Sequence, residues 1–384
     1  MKALRIPVVE LPKETEALRN EIRAFIKEEL ESGSIAPSCD SWLCGFSPEL
    51  SKKIGEKGWI GMTWPAEYGG KERTSIERYV VTEELLAAGA PVAAHWIADR
   101  QSGPLFLKFG TEKQKHFFLP KIARGECYFS IGLSEPNAGS DLAAIKTKAE
   151  KVEGGWLLNG SKIWTSGAHL AHYMITLCRT SPQDINNRHA GMSQLVVDLS
   201  APGVTIRPIH LMTGEHHFNE VFFEDVFIPD NMVVGKIGNG WAQGMTELAY
   251  ERSGPERILS TYPLLNELTN TLIENKDEKG LNEVSKVVTR LWTLRNMSLG
   301  IAKLLEEGIP SSLIASLVKD LGTQFEQRMA EITRLLVSAI PSINSESKLE
   351  KLMAQAMLQS PGFTLRGGTT EILRGIVAKG VVKA

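Results

Sequence analysis

Four cysteines in 384 residues are few, and their spacing excludes most of what cysteine does. Cys39, Cys44, Cys127 and Cys178 form no CxxC pair and lie at no metal-ligand spacing from a histidine. A zinc site is therefore not expected, and the thiols read as reduced ones in a cytoplasm. Neither sign of charge is in excess, since 43 Lys and Arg face 45 Asp and Glu for a net charge of −2. That balance gives no electrostatic footprint for nucleic acid or an anionic membrane. No apolar run reaches the ~18 residues of a membrane helix, and the start, MKALRIPVVELPKETEAL, lacks the apolar core of a signal peptide. A soluble, cytoplasmic protein is expected. No GxGxxG follows a strand, and no Walker loop or HExxH is present, which removes the commonest nucleotide and zinc-protease signatures. GKIGNG at 235–240 is glycine-rich at the wrong spacing and reads as a flexible turn.

What remains is a chain with 42% hydrophobic and 23% charged residues, longer than one core usually supports. Leu18, Ile22, Phe25, Ile26 and Leu30 recur at helical spacing, SPELSKKIGEKGW and TEKQKHFFLPKIARG begin at a Ser and a Thr cap signal, and SIERYVVTEELLAAG ends at glycine. Past Cys127 the pattern becomes short alternating runs (WLLNGSKIWTS, HYMITLCR, SQLVVDL, VTIRPIHL, NEVFFEDVFI) parted by Gly, Pro, Asn and Asp. Helix period returns after GNGW, with segments at 241–253, 262–276, 281–307, 311–339 and 346–359, the third carrying Val284, Val287, Val288, Leu291 and Leu294 on one stripe. The expectation is an α+β multidomain chain: an N-terminal all-α domain over 1–125, a middle antiparallel β domain over 126–236 and a C-terminal helical bundle over 237–384.

Two stretches concentrate small hydroxyl residues, glycines and one tryptophan: IGLSEPNAGSD at 131–141 and LNGSKIWTSG at 158–167. Ser134, Ser140, Thr165 and Ser166 beside Trp164 suit hydrogen bonds along the edge of a flat heteroaromatic ring, with backbone N–H groups free to approach phosphate. The same residues also suit ordinary turns between strands, and pattern alone leaves both readings open. His169 and His172 have no further ligand nearby and read as histidines satisfied within loop or strand.

The order and spacing of GWIGMTWPAEYGG, GPLFLKFGTEKQKHFFLPKIARGE, SEPNAGSD, LNGSKIWTSGA, FFEDVFIPDNMVVG and GGTTEILRGIVAK resemble the acyl-CoA dehydrogenase family of flavoproteins over nearly the whole chain. The resemblance implies a C-terminal four-helix bundle and FAD lying between it and the β domain. It places Ile131, Leu133, Ser134, Trp164 and Ser166 at the flavin ring, Ser140 near the cofactor phosphates and the pantetheine chain, and Thr369 and Glu371 on FAD from the C-terminal domain. Arg252 and Gly368 join Ser140 as substrate contacts.

The family desaturates acyl-CoA thioesters: a carboxylate removes the α-proton while the β-hydrogen leaves as hydride to flavin N5. In many members that glutamate directly precedes the Gly-Thr of the C-terminal motif, where this chain has Gly367. Glycine accepts no proton. Other members carry the base before an arginine on the first long helix of the C-terminal domain, and GWAQGMTELAYERSGPER puts Glu251 before Arg252 there. Glu251 is thus the implied base and Glu247, one turn earlier, the runner-up. Pro255, just beyond, is expected to kink that helix.

Two family features are missing. An Arg-x-x-Phe-Gly that reaches a neighbouring subunit's FAD pyrophosphate is replaced by KDEKG at 276–280, and a glutamine with Gly-Gly is not recognisable. Lys276 keeps the charge without the bidentate fork. The combination resembles the bacterial branch acting on bulky acyl-CoAs such as steroid side chains, which implies electron-transfer flavoprotein as acceptor and a homotetramer or an α2β2 heterotetramer. It leaves open a non-catalytic partner subunit, and a flavin monooxygenase or acyl-CoA reductase on the same fold.

Overall fold

The structure is a computed structural model describing residues 4–184, 186–251, 254–309 and 311–382, the side chains of 246–251 excepted. Helices come first: α1 (Glu14–Glu31), α2 (Ser41–Cys44), α3 (Pro48–Glu56), α4 (Ser75–Ala87), α5 (Ala93–Ile97), α6 (Gly103–Phe109) and α7 (Glu112–Ala123). The expected caps are present, and Thr74 adds one. Ser47 Oγ accepts from Leu50 N at 3.2 Å, and Thr74 and Thr111 form capping boxes with Glu77 and Gln114.

The strands follow: β1 (Phe129–Gly132), β2 (Lys148–Val152), β3 (Gly155–Ser166), β4 (Tyr173–Arg179), β5 (Met192–Asp198), β6 (Val204–His210), β7 (His216–Pro229) and β8 (Val233–Val234). They form one sheet in the order β6-β7-β3-β2-β4-β5-β8, with β1 attached to β4. The sheet is mixed rather than purely antiparallel, because β1 and β2 each pair parallel with β4. Alternating hydrophobicity marks which side a residue faces but not the direction of its neighbour, so this difference was invisible in the sequence.

Six helices complete the chain: α8 (Gly240–Glu251), α9 (Tyr262–Glu274), α10 (Glu278–Glu306), α11 (Ser312–Leu336), α12 (Lys348–Phe363) and α13 (Thr370–Val382). The last of these has no counterpart in the sequence reading. Helix α8 ends ahead of Pro255, which opens a short 3-10 turn, Pro255–Arg257, instead of kinking a continuing helix. On α10, Val284, Val287, Leu291 and Leu294 are buried as expected, while Val288 is exposed.

The chain divides into two compact units, one comprising Met1–Gly45, Arg73–Pro91 and Glu251–Ala384, the other Phe46–Glu72 and Val92–Tyr250. In the first, Glu83 of α4 joins α1 to α10 by accepting from Arg19 Nη2 (3.3 Å) and Arg295 Nη2 (2.8 Å). In the second, one side of the sheet is sealed by Trp156, Leu158, Leu195, Val197, Val221 and Phe223, each fully buried aliphatic contributing roughly 1.5–3 kcal/mol. The other side packs Ala138, Ala143 and Ile145 against Leu177 and Met192, which pins the segment after β1 to the sheet. Phe106 of α6 and Phe118 of α7 stack at 4.7 Å, and both rings meet Phe129 edge-on, fixing the start of β1.

Candidate functional site

Beyond Gly132 the chain leaves the sheet as Leu133, Ser134 and Glu135. The Glu135 carboxylate is buried and accepts from Lys146 N (2.7 Å), Thr147 N (3.0 Å) and Lys162 Nζ (2.8 Å). Lys162, also buried, donates from the same Nζ to Leu133 O at 3.1 Å. Burial pushes the Glu135 carboxyl up, but Lys162 and the N–H donors outweigh it and hold the group below its ordinary value. Ile163 N donates to Ser134 O at 3.0 Å, tying this segment to β3 a second time.

The pairing of β3 with β7 shifts register between Lys162 and Thr165. Within that irregularity Trp164 takes φ +58, a left-handed conformation costly for a bulky aromatic, and its indole is 55% exposed. Only its edge is covered, by Phe218 at 5.9 Å and 89°. Ser166 pairs with Phe218 and is half-buried, as are Ile131, Leu133 and Ser134. Unit two therefore brings Leu133 and Ser134 beside the end of β3 that carries Trp164 and Ser166.

Ser140 is exposed in the loop that follows. Its setting depends on a residue the sequence reading missed. Arg179, buried at the end of β4, donates to the carbonyls of Ala143 (2.7 Å), Ile145 (3.1 Å), Arg188 (3.2 Å) and Ala190 (3.0 Å). Arg188 in turn clasps both oxygens of Asp141 at 2.6 and 2.7 Å. An arginine closing the otherwise apolar run HYMITLCR was the available signal. The two histidines lie in the sheet's own contacts. His169 Nδ1 faces Asn219 Nδ2 at 3.0 Å and its ring stacks on His216, while His172 Nδ1 accepts from Tyr128 N at 3.1 Å.

In unit one, Gly367 and Gly368 both have positive φ, +66 and +99. A side chain at either would be strained, so this backbone itself asks for glycine. The carbonyl of Gly368 accepts from the buried Lys319 Nζ at 2.9 Å, and Lys319 also reaches Phe363 O at the end of α12. Just before the glycines, Arg366 forks onto Asp40, with Nη2 to Oδ1 at 2.7 Å, between the rings of Trp42 and Phe363. Thr369 Oγ1 accepts from Ile372 N at 3.4 Å and starts α13, and Glu371 is exposed with its carboxyl lowered by the helix-start amide and Thr369.

Glu326 of α11 is buried close by, accepting from Ser260 N at 2.7 Å. Burial pushes its carboxyl up to about 7, against the pull of Arg366 and Ser260. The folded protein thus keeps a proton that an unfolded glutamate releases near ~4.3. This contribution to stability is fully present below that value and is lost as pH rises through about 7. Glu326→Gln is expected to flatten the decline by on the order of 3 kcal/mol between pH 4.5 and 8, measured by urea unfolding. An unchanged slope in the variant would contradict the assignment.

The proposed base, Glu251, and its runner-up, Glu247, have side chains outside the described residues, and Arg252 lies outside them altogether. The helix they belong to is well anchored at its start. Gln243 Nε2 donates to Val234 O at 2.8 Å, and Trp241 stacks on His189 at 4.0 Å. KDEKG forms the turn from α9 to α10, with Lys276 at φ +53 and Asp277 capping α10 through Gly280 N at 3.0 Å.

Known proteins share this construction. The N-terminal, middle and C-terminal domain models of acyl-CoA dehydrogenase match residues 12–126, 130–226 and 278–382. Acyl-CoA dehydrogenase FadE34 of Mycobacterium tuberculosis is 33% identical over 86% of this chain, which spans 46% of FadE34. Acyl-CoA dehydrogenase IpdE1 of the same organism is 32% identical, with 86% of each chain covered. The chain belongs to the acyl-CoA dehydrogenase family. Its members are oxidoreductases acting on acyl-CoA, and solved structures agree: the Tcur3481-Tcur3483 steroid ACAD superposes with a TM-score of 0.86 at 28% identity, covering 98% of this chain and 99% of that one. The ChsE4-ChsE5 complex of Mycobacterium tuberculosis gives 0.82 at 28% identity, covering 98% and 99%.

Acyl-CoA dehydrogenases are FAD-dependent, and the residues present fit a flavin. Trp164 is held in strain with its ring exposed. A Cβ added at Gly167, three residues past the tryptophan, or at Gly139, in the loop that carries Ser140, would meet nothing within 4 Å, so backbone at both places is open to approach.

Proposed function

We propose that this chain is an FAD-dependent acyl-CoA dehydrogenase that desaturates bulky acyl-CoA thioesters, steroid side chains among them, with Glu251 as the α-proton base. Trp164 carries the reading: a strand end that strains a tryptophan and leaves it exposed is accounted for by a ring that covers it. The residues proposed to hold FAD are Ile131, Leu133, Ser134, Ser140, Trp164, Ser166, Thr369 and Glu371. A bound flavin supplies the hydride acceptor, and electron-transfer flavoprotein takes the electrons on.

The chain's own part is to bind and orient the thioester and to take one proton onto a carboxylate oxygen. Ser140, Arg252 and Gly368 are the proposed substrate contacts. With Gly367 left-handed and side-chain-free, and Arg366 committed to Asp40, the C-terminal motif offers no carboxylate at the position directly before Gly-Thr. Glu251, on a separately anchored helix, is the proposed replacement. The substrate class is supported by the Tcur3481-Tcur3483 steroid ACAD and its variant, and heteromeric relatives support an α2β2 assembly as the alternative to a homotetramer.

A second reading, a partner subunit that shapes a shared site, is favoured by KDEKG, where a tight helix-to-helix turn stands in place of the pyrophosphate arginine. Purifying the chain alone, recording its visible spectrum and adding acyl-CoAs from butyryl to steroid-side-chain thioesters without oxygen separates the two. Bleaching by a bulky thioester is the expected result. A colourless protein that takes up FAD only with a second gene product would sink the self-sufficient enzyme.

A further inference from the structure

The Glu135–Lys162 pair sits where three chain segments meet. Its side chains are 8% and 0% exposed, and among the described residues no other cation or carboxylate is bonded to it. From that enclosed position Lys162 grips Leu133 O, and Glu135 grips the amides of Lys146 and Thr147. The chain passes tightly over the lysine stem, for a Cβ at Gly132 would lie 3.1 Å from Lys162 Cγ. Lys162 is also the last regularly paired residue of β3 before the register shift that turns Trp164 outward. Displacing it therefore moves the Leu133–Ser134 segment and the base of the Trp164 bulge together.

Stability alone does not account for this pair. Well-packed apolar residues of similar volume commonly serve a core as well as or better than a buried ion pair, because two desolvated charges cost nearly what their attraction returns. What the pair adds is a fixed length: a rigid bonded strut from Leu133 O through Nζ to the 146–147 backbone. Loops that present a ligand need such support from the residues behind them.

We propose that Glu135 and Lys162 are positioning residues for the cofactor, setting the spacing between the Leu133–Ser134 segment and the Trp164–Ser166 strand end that together receive the flavin ring. The inference rests on the flavin reading above. Its test is binding of FAD to the apoprotein, with the absorption band shape of the bound flavin as a second readout and thermal unfolding as a third. Native protein is measured first, with its partner subunit if one is required.

Lys162→Met is expected to loosen FAD by about tenfold or more and to alter the bound-flavin spectrum. Because that variant leaves a buried carboxylate without its cation, the double variant Glu135→Gln/Lys162→Met is measured beside it. The double variant is expected to recover thermal stability while FAD affinity and band shape stay perturbed, which a merely structural pair would not produce. Native affinity and spectrum in the double variant would overturn the positioning role alone. Native protein that takes up no FAD would overturn the flavin reading, and this inference with it.

Discussion

Glu251→Gln is expected to keep FAD bound and to slow substrate-driven bleaching by ~10²–10⁴-fold, the range that removal of a positioned general base spans. The amide matches the carboxylate in size and accepts no proton, so the thioester can still dock while its α-hydrogen stays in place. The magnitude follows from what replaces the base. Water or a distant carboxylate has neither the position nor the orientation that makes proton abstraction effectively intramolecular. Glu247→Gln, one turn earlier, is the internal comparison. A small effect at 251 with a large one at 247 would exchange their roles, and full bleaching in both would reject the helix as the source of the base. Gly367→Glu is not expected to rescue Glu251→Gln. A glutamate there inherits φ +66, which costs on the order of 1–2 kcal/mol for a residue with a Cβ and points its side chain differently from a glutamate in an ordinary backbone.

How much of this was legible in the sequence varies with the range of the interaction. Caps at Ser47 and Thr111 are local, and their signals were right, while the equally local cap at Thr74 was passed over. The long strand Gly155–Ser166 and the returning helices follow from periodicity, which samples one element at a time. Parallel pairing of β1 with β4 depends on residues some forty positions apart and left no mark on either strand. Helix α13 went unnoticed because its sequence, TEILRGIVAKGVV, buries only Leu373 and shows no clean stripe. The residues proposed to meet the flavin stand out because hydroxyls, glycines and a tryptophan gather in two short stretches. The buried basic groups that fix the backbone around these stretches (Lys162 and Arg179) and around the double glycine (Lys319 and Arg366) were missed, since a lone basic residue in a sequence looks the same whether it is solvated or buried against carbonyls. Their partners lie up to 326 positions away.

Arg366 carries the largest expected effect on stability. Its guanidinium forks onto Asp40, reaches Ser260 Oγ at 3.4 Å and lies against the Trp42 ring at 4.6 Å and the Phe363 ring at 4.8 Å. Asp40 is only 3% exposed and stands at φ +56, and Glu326 nearby is 1% exposed. Arg366→Met fills most of the same space and keeps the ring contacts, but strands a buried carboxylate, so a loss of about 3–5 kcal/mol is expected in urea unfolding at neutral pH. Arg366→Lys keeps the charge and loses the fork and the stacking, and falls between. Asp40→Asn combined with Arg366→Met removes both charges and should return much of the loss, because what destabilises is the unpaired ion rather than the missing bond. The loss should also shrink toward acid pH. Without the guanidinium, the pull that opposes burial at Glu326 is gone, its carboxyl rises further, and its protonation relieves part of the buried charge as pH falls. A methionine variant within about 0.5 kcal/mol of the native chain would mean that Lys319, through Gly368 O, is enough to hold the double-glycine loop on its own.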